Sequence, residues 1–464
     1  MSSTRKTTLP LDFLIIGGGI GGCSAAYMLR EAGHNVRVLE RLPGIGTPAA
    51  GVRVPPNMSK ILQRWIGEEE LLKRAIINLE TPWHDLHTGA FLGRTQFRQE
   101  VITETGGHFL LMAHEDVHRL VYDLATSAGA RVDFDVRVTR VTPGQPRPSV
   151  TLESGEVISA DIIVGADGPT SIVREVVIGE DEEVGVARPE GYTVFGAVVP
   201  RKWMETDAEL KKFIDLQGWP LLPGDDRSLC AHPIRNHQEF SLMIHWPDHE
   251  AHTPDDAQDT WLDTIRTDTL DYSTLAPAYQ HMMKGASCLW RTRSMVRPPV
   301  ESRVDESERI VLLGEAAHTM YPGATHAASM AVEDAVVLGQ LFSHLSALDQ
   351  VSSLLYAYHE LRHTRAAETR SRDASNIVFT RLPPGPERAQ RDIDLGRCVV
   401  PDEHDDGRAR AEFENMVGVF GYDAYDAAEE WWMQWGRYKA GNDVAPPLYA
   451  VMGTHHSTSG QEVY

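Results

Sequence analysis

The sequence predicts an α/β protein: a parallel sheet drawn from three separated stretches, interrupted by an antiparallel sheet and followed by a helical C-terminal part. Three observations predict it. First, the apolar strand Phe13-Leu14-Ile15-Ile16 runs into Gly17-Gly18-Gly19-Ile20-Gly21-Gly22, a helical stretch (Ala25, Ala26, Met28, Leu29, Ala32) and a second strand, Val36-Arg37-Val38-Leu39, closed by Glu40. Second, two later apolar strands, Ile162-Ile163-Val164 and residues 309–313, also stop at glycine and an acid, in Gly165-Ala166-Asp167-Gly168 and Gly314-Glu315. Third, residues 191–290 alternate in polarity, as in 193–199 and 240–245, with few βαβ signals.

The first stretch has the order strand, Gly-rich turn, helix, strand, acid, which is a Rossmann-like dinucleotide site. Gly17 permits the tight turn, Gly19 lets a pyrophosphate approach the backbone, and Gly22 lets helix and strand pack closely. The helix N-terminal amides face the phosphate charge. Glu40 follows at about the 20-residue distance at which an acid reaches a ribose hydroxyl.

Taken in order, residues 42–57 are rich in Gly and Pro and read as one long loop beside the cofactor site. A helix is expected over 57–75, short strands over 82–105 around His87-Thr88-Gly89, and a buried strand over 108–112. Val117, Leu120, Val121 and Leu124 give residues 116–128 a helical stripe. Two alternating strands, at 131–141 and 149–153, precede the second strand end. A long helix of small and apolar residues covers 327–342, and a charged helical part runs to 379. A loop follows at Pro383-Pro384-Gly385-Pro386, then a helical segment over 410–438 in which Trp431, Trp432 and Trp435 read as packing. The expected divisions are a dinucleotide-binding domain in three parts (9–80, 108–185, 296–375), strands 81–107 joining a substrate domain at 186–295, and a C-terminal extension at 376–464.

The 464 residues allow about two to four domains. A net charge of -22 argues against nucleic acid and anionic membrane surfaces as partners. Cys23, Cys230, Cys288 and Cys398 are scattered without a C-x-x-C pair, so a reducing, cytoplasmic setting is expected. The polar first ten residues lack a secretory apolar core, and no apolar run approaches the roughly 18 residues of a membrane span.

With three such strand ends in one chain, the sequence resembles the single-component FAD-dependent aromatic monooxygenases of the salicylate and 4-hydroxybenzoate hydroxylase type, the fungal secondary-metabolite members in particular. The resemblance covers nearly the whole chain. It rests on the glycine fingerprint, Val38-Leu39-Glu40-Arg41, the loop Ala50-Gly51-Val52-Arg53-Val54-Pro55-Pro56-Asn57, and Gly165-Ala166-Asp167-Gly168-Pro169 with Arg174. It continues through His232-Pro233-Ile234-Arg235, Gly314-Glu315-Ala316-Ala317-His318, and Pro322 onward to Ala331-Val332-Glu333-Asp334-Ala335. It implies a Rossmann-like FAD-binding domain with an inserted antiparallel substrate domain.

The resemblance implies FAD as cofactor and NAD(P)H as transient reductant, with O2 and a small aromatic or natural-product molecule as the other partners. Gly17, Gly19, Ile20 and Gly22 would take the pyrophosphate, Glu40 and Arg41 the adenosine end, and Gly51 and Val52 the flavin edge. Asp167 would support the cofactor-binding fold and the reductant's approach, Glu315 would hydrogen-bond the ribityl chain, and Gly168, Ala316 and His114 would also bind the cofactor. Pro322, Ala327 and Ala328 would lie beside the flavin ring. The implied reaction is hydroxylation of an electron-rich aromatic, with or without decarboxylation or rearrangement, by a monomer or homodimer. The chain departs from the family with Glu315 for Asp, His114 for a cofactor-touching Arg, Thr325-His326-Ala327-Ala328-Ser329 for a Gly-rich run, Phe195-Gly196 where a substrate-facing Arg often stands, and His232 for Tyr.

A phenolic substrate is activated by losing or sharing its proton, so a basic group is wanted in the antiparallel domain. His232 is the candidate by position, with His245 and His326 as competitors, and His318 reads as structural. Arg53 either clamps an acidic substrate or pairs with a loop carboxylate. His359-Glu360-Leu361-Arg362-His363 matches the H-E-x-x-H zinc pattern in letters only, since no third-ligand motif follows. Two readings from other classes therefore stand beside the hydroxylase: an FAD-holding cyclase or isomerase without redox turnover, and a zinc hydrolase using His359 and His363.

Overall fold

The computed structural model describes residues 5–46, 50–97, 99–179, 187–251, 253–254, 263–397, 414 and 416–437. Its parallel sheet has five strands in the order Ile310–Leu312, Ile162–Gly165, Asp12–Ile16, Asn35–Leu39, Arg131–Asp133. Phe13 pairs with both Ile162 and Val36, and Ile163 with Ile310. The three strands that end in the glycine motifs are therefore neighbours, and their ends lie side by side.

The eight-stranded sheet runs in the order Asp263–Ile265, Leu289–Val296, Arg188–Pro200, Glu239–Pro247, Ser228–Ile234, Leu221–Pro223, Glu80–His84, Phe91–Gln96. All its pairings are antiparallel except Leu221 with Trp83, which is parallel. Its apolar face is covered by a cluster that includes Phe195, Phe240, Trp246 and Met282, separate from the core beneath the parallel sheet.

The helix Ala327–Phe342 forms the spine of that first core and is buried almost throughout. It can approach the helix Ile20–Glu31 closely because small residues meet at the contact. A Cβ on Gly339 would stand 2.6 Å from Met28 Cβ, and one on Gly21 would stand 3.1 Å from Ala331 Cβ. Behind it, Glu333 and Asp334 are fully buried and bind Arg362, with Arg303 on Asp334 and Arg365 on Glu333. Arg362 is the central cation of this network and belongs to the literal H-E-x-x-H stretch. That stretch lies inside the helix Gln350–Thr380. Its two imidazoles sit 5.0 Å apart on the outer side, and His359 Nδ1 accepts from the Arg303 amide.

Several sequence expectations are corrected. The 42–57 loop contains a strand, Gly51–Val54, paired with Leu110–Ala113, because its ladder comes from a distant partner. The 57–75 helix is two helices, Pro56–Ile66 and Glu68–Leu72, interrupted at Gly67 with φ 84°. Gln99–Thr105 is helical, and the 131–141 strand splits into Arg131–Asp133 and Val138–Thr142. A helix, Pro386–Arg397, follows the Pro383–Pro386 turn, and Trp432–Gly436 continues Ala424–Trp431 as a π-helical turn. Cys398 and most of the 398–415 stretch lie outside the described residues; Cys23, Cys230 and Cys288 are free thiols. No described helix is long and apolar enough to cross a membrane.

Candidate active site

One cavity of about 440 Å³ runs from the glycine fingerprint to the antiparallel sheet, within the range of small-molecule sites. Gly17, Gly19, Ile20, Glu40, Arg41, Gly51 and Val52 line it, as do Arg53, His114, Asp167, Gly168 and Glu315. Pro322, Ala327 and Ala328 line its inner end. Gly22, Ala316, His232 and His326 are not on its wall.

At the fingerprint, Gly17 has φ 102°, and a Cβ there would stand 2.3 Å from the Ala166 carbonyl, so the first two strand ends touch. A Cβ on Gly22 would stand 2.0 Å from the Gly17 carbonyl oxygen; this glycine shapes the turn from behind. A Cβ on Gly19 would meet nothing within 4 Å, which leaves its backbone open to close approach. The helix Ile20–Glu31 has no side-chain cap and no acid in its first turn. Its N-terminal amides are thus free to receive an anion. Glu40 braces the turn, accepting from the Gly18 amide at 2.6 Å and the Leu42 amide at 2.8 Å.

The other two strand ends are held by buried side chains. Asp167 Oδ2 accepts from the Ile172 amide at 2.9 Å, while its buried Oδ1 has no partner, and burial raises its pKa above the usual carboxylate value. Arg174 donates to the carbonyls of Ala316 and Ala317, at 3.0 and 3.3 Å, tying the helix Ile172–Ile178 beneath Glu315. Asp334 accepts from the Gly314 amide at 2.9 Å and from His318 Nε2 at 2.7 Å. Burial alone would raise Asp334, but Arg303, His318 and Arg362 hold its carboxyl well below the usual range.

His114 is half-buried on the wall; burial and neighbouring His118 lower it to about 4, and its Nδ1 has no partner. Sequence reasoning missed His118, one helical turn further on. Its Nε2 donates to the Gly18 carbonyl at 2.7 Å, and its Nδ1 accepts from Gly46 at 3.4 Å. The i, i+4 spacing from His114 was the available signal. Met243 and Thr292 also line the cavity and left no local sequence signal, because strand register alone brings them there; Arg297, just past the strand Leu289–Val296, lines it too.

The turn Tyr321 to Ala324 closes the inner end and is gripped from two sides. His245 Nε2 lies 3.1 Å from the Pro322 carbonyl, and Arg53 donates to the Gly323 carbonyl. Since a carbonyl only accepts, His245 carries its proton on Nε2, and Nδ1 faces the Ser228 hydroxyl at 3.4 Å. Burial, with Arg381 nearby, lowers His245 to about 3, so it is neutral at pH 7.

His232 is 1% exposed and lies behind Gly51. Its Nδ1 faces the Pro233 carbonyl at 3.2 Å, Nε2 has no partner, and burial followed by Arg53 lowers it to about 3. His326 precedes the helix Ala327–Phe342; its amide and Nδ1 both bind Asp373, at 3.0 and 2.8 Å, and its ring stacks on Phe420. Among the described residues no group of three or more His, Cys, Asp or Glu is arranged to hold a metal ion.

Comparison with known proteins gives three findings. The family model described as FAD binding domain matches residues 11–373. An FAD-dependent monooxygenase, atnJ of Arthrinium sp, is 28% identical over 408 residues, 84% of this chain and 90% of that protein; 3-hydroxybenzoate 6-hydroxylase of Klebsiella oxytoca is 27% identical, over 70% and 78%. Among solved structures, CtdE in complex with FAD and a substrate superposes with TM-score 0.75 at 16% identity, covering 93% of this chain and all of that one. A salicylate hydroxylase substrate complex gives 0.70 at 20%, covering 90% and 97%.

Proposed function

The chain belongs to the FAD binding domain family, and from that membership we infer that it is a flavin-dependent monooxygenase that hydroxylates an electron-rich aromatic or natural-product substrate with NAD(P)H and O2. The observation that carries this reading is the continuity of one cavity from the fingerprint glycines to Met243 and Thr292 of the antiparallel sheet. A dinucleotide and an apolar reactant would share it.

The residues present fit FAD. The uncapped helix at Ile20 and open Gly19 suit the pyrophosphate, Glu40 and Arg41 the adenosine end, and the orphan Oδ1 of Asp167 a hydroxyl donor. Gly168, Glu315 and the Ala316 carbonyl held by Arg174 would shape the middle. When bound, FAD supplies hydride acceptance from NAD(P)H and activation of O2. The protein's part is to bind, orient and keep dry. Gly51 and Val52 would set the flavin edge, and the Pro322–Gly323 turn would seal the reacting end. The helix Ala327–Phe342 has no acid in its first turn, so its positive end suits negative charge on the ring. His232 and His326, both off the cavity wall, would support Gly51 and the head of that helix rather than move a proton.

Purified protein should carry flavin absorbance, and anaerobic NADH or NADPH should bleach it faster with a suitable aromatic present. Flavin that is retained but bleaches only slowly with either reductant, across candidate substrates, would favour turnover without redox chemistry.

A further inference from the structure

Arg53 is 2% exposed, yet no carboxylate lies within ion-pairing distance among the described residues. The loop-carboxylate partner considered from sequence is not there. Nε has no hydrogen-bond partner, and Nη1 reaches only Cys230 Sγ and Met243 Sδ, both at 3.9 Å. Nη2 donates to the Gly323 carbonyl, and the guanidinium lies over the Trp219 ring at 5.2 Å. A carbonyl, a ring face and two thioether or thiol sulfurs steady a cation without neutralising it. Burying a charge that way is costly unless an anion completes it. Arg53 also lines the cavity. The phosphate end of a dinucleotide belongs at the far side, by Gly19, and cannot serve. Around the guanidinium, Trp219, Leu221, Val194, Cys230 and Met243 pack as one cluster, and the nearby imidazoles of His232 and His245, lowered to about 3, are neutral and supply no counter-charge.

We propose that Arg53 is the specificity-determining residue of the substrate chamber, holding an anionic oxygen (carboxylate or ionised phenol) of a flat aromatic that packs on the Met243 side. The inference rests on the hydroxylase reading for its placement of the substrate, but not on turnover. The free Nε–H is the donor on offer, on the same guanidinium edge as Nη2, and that edge suits a carboxylate or phenolate oxygen. An ionic phenol would arrive already deprotonated, which agrees with His232 and His245, the histidines nearest Arg53, lying off the cavity wall with a ring nitrogen of each turned to a carbonyl.

The test is binding to flavin-loaded protein without reductant, read by calorimetry and melting temperature. The probes are hydroxybenzoates against the matching hydroxybenzamides, and 4-nitrophenol against 4-nitroanisole. Wild type should hold at least one anion roughly ten- to hundredfold more tightly than its neutral match, as a charged hydrogen bond implies. Arg53→Gln, which can still donate to Gly323, should erase that preference and melt no lower than wild type without ligand, and Arg53→Lys should restore part of it. Equal binding of anions and neutral matches by wild type overturns the proposal. So does an Arg53→Gln variant that keeps the preference, or one that only shifts the flavin potential. If anions bind as expected but no probe is hydroxylated, the hydroxylase reading is at fault and the Arg53 assignment stands.

Discussion

Gly51 lies flat against the imidazole of His232: a Cβ on Gly51 would stand 2.1 Å from His232 Cε1 and 2.6 Å from Nε2. The Gly51 amide donates to Ser241 Oγ at 2.7 Å, so the backbone cannot simply retreat. The two residues, one on the strand Gly51–Val54 and one on the eight-stranded sheet, fix how closely the flavin-edge strand approaches the substrate sheet.

Gly51→Ala should therefore cost about 1–3 kcal/mol and weaken FAD retention. Adding His232→Ala should return part of that loss, since the ring is what the methyl meets. Thermal melts of the two single variants and the double variant measure the coupling; strict additivity would mean that the contact does not set the spacing.

His245→Phe keeps the ring but removes the Nε2–H that holds the Pro322 carbonyl. The turn should loosen, with kcat/KM falling about tenfold or more while FAD content stays near normal. Unchanged turnover would remove His245 from the positioning of that turn.

Acidification should destabilise the protein between about pH 6.5 and pH 3. His34 and His114 are lowered to about 4, and His232 and His245 to about 3, chiefly by burial. Their unfolded forms titrate near 6.5. In that window the unfolded chain binds more protons than the folded one, so stability falls as pH falls, by about 1.4 kcal/mol per pH unit for each such group. The pH slope of the urea midpoint reads this, and His34→Gln should make it shallower.

Arg362→Met leaves Glu333 and Asp334 short of their central cation and should cost about 3–5 kcal/mol. His363→Ala, in the same H-E-x-x-H stretch, should leave stability and flavin content unchanged. The opposite ranking, or loss of bound zinc with His363→Ala, would revive the metal reading.

The three strand ends were legible because a strand, its glycines and its acid are consecutive in sequence, and the alternation of 191–290 likewise carried the antiparallel sheet. The strand Gly51–Val54 was not, since four residues among glycines and prolines become a strand only through Leu110–Ala113. Met243 and Thr292 reach the cavity through the register of strands flanking Arg188–Pro200, which no local pattern encodes. His232 was singled out by its position along its strand, but which side of Gly51 it occupies is decided by sheet packing. The H-E-x-x-H letters concealed the residue that matters most there, Arg362, whose importance lies in its burial.

The most direct test of the central claim is product mass after turnover with isotopically labelled O2 and NAD(P)H, across aromatic and natural-product candidates. The account predicts a product containing one heavy oxygen atom, with one NAD(P)H consumed for each. A product of unchanged mass, or one whose new oxygen comes from water, would contradict it.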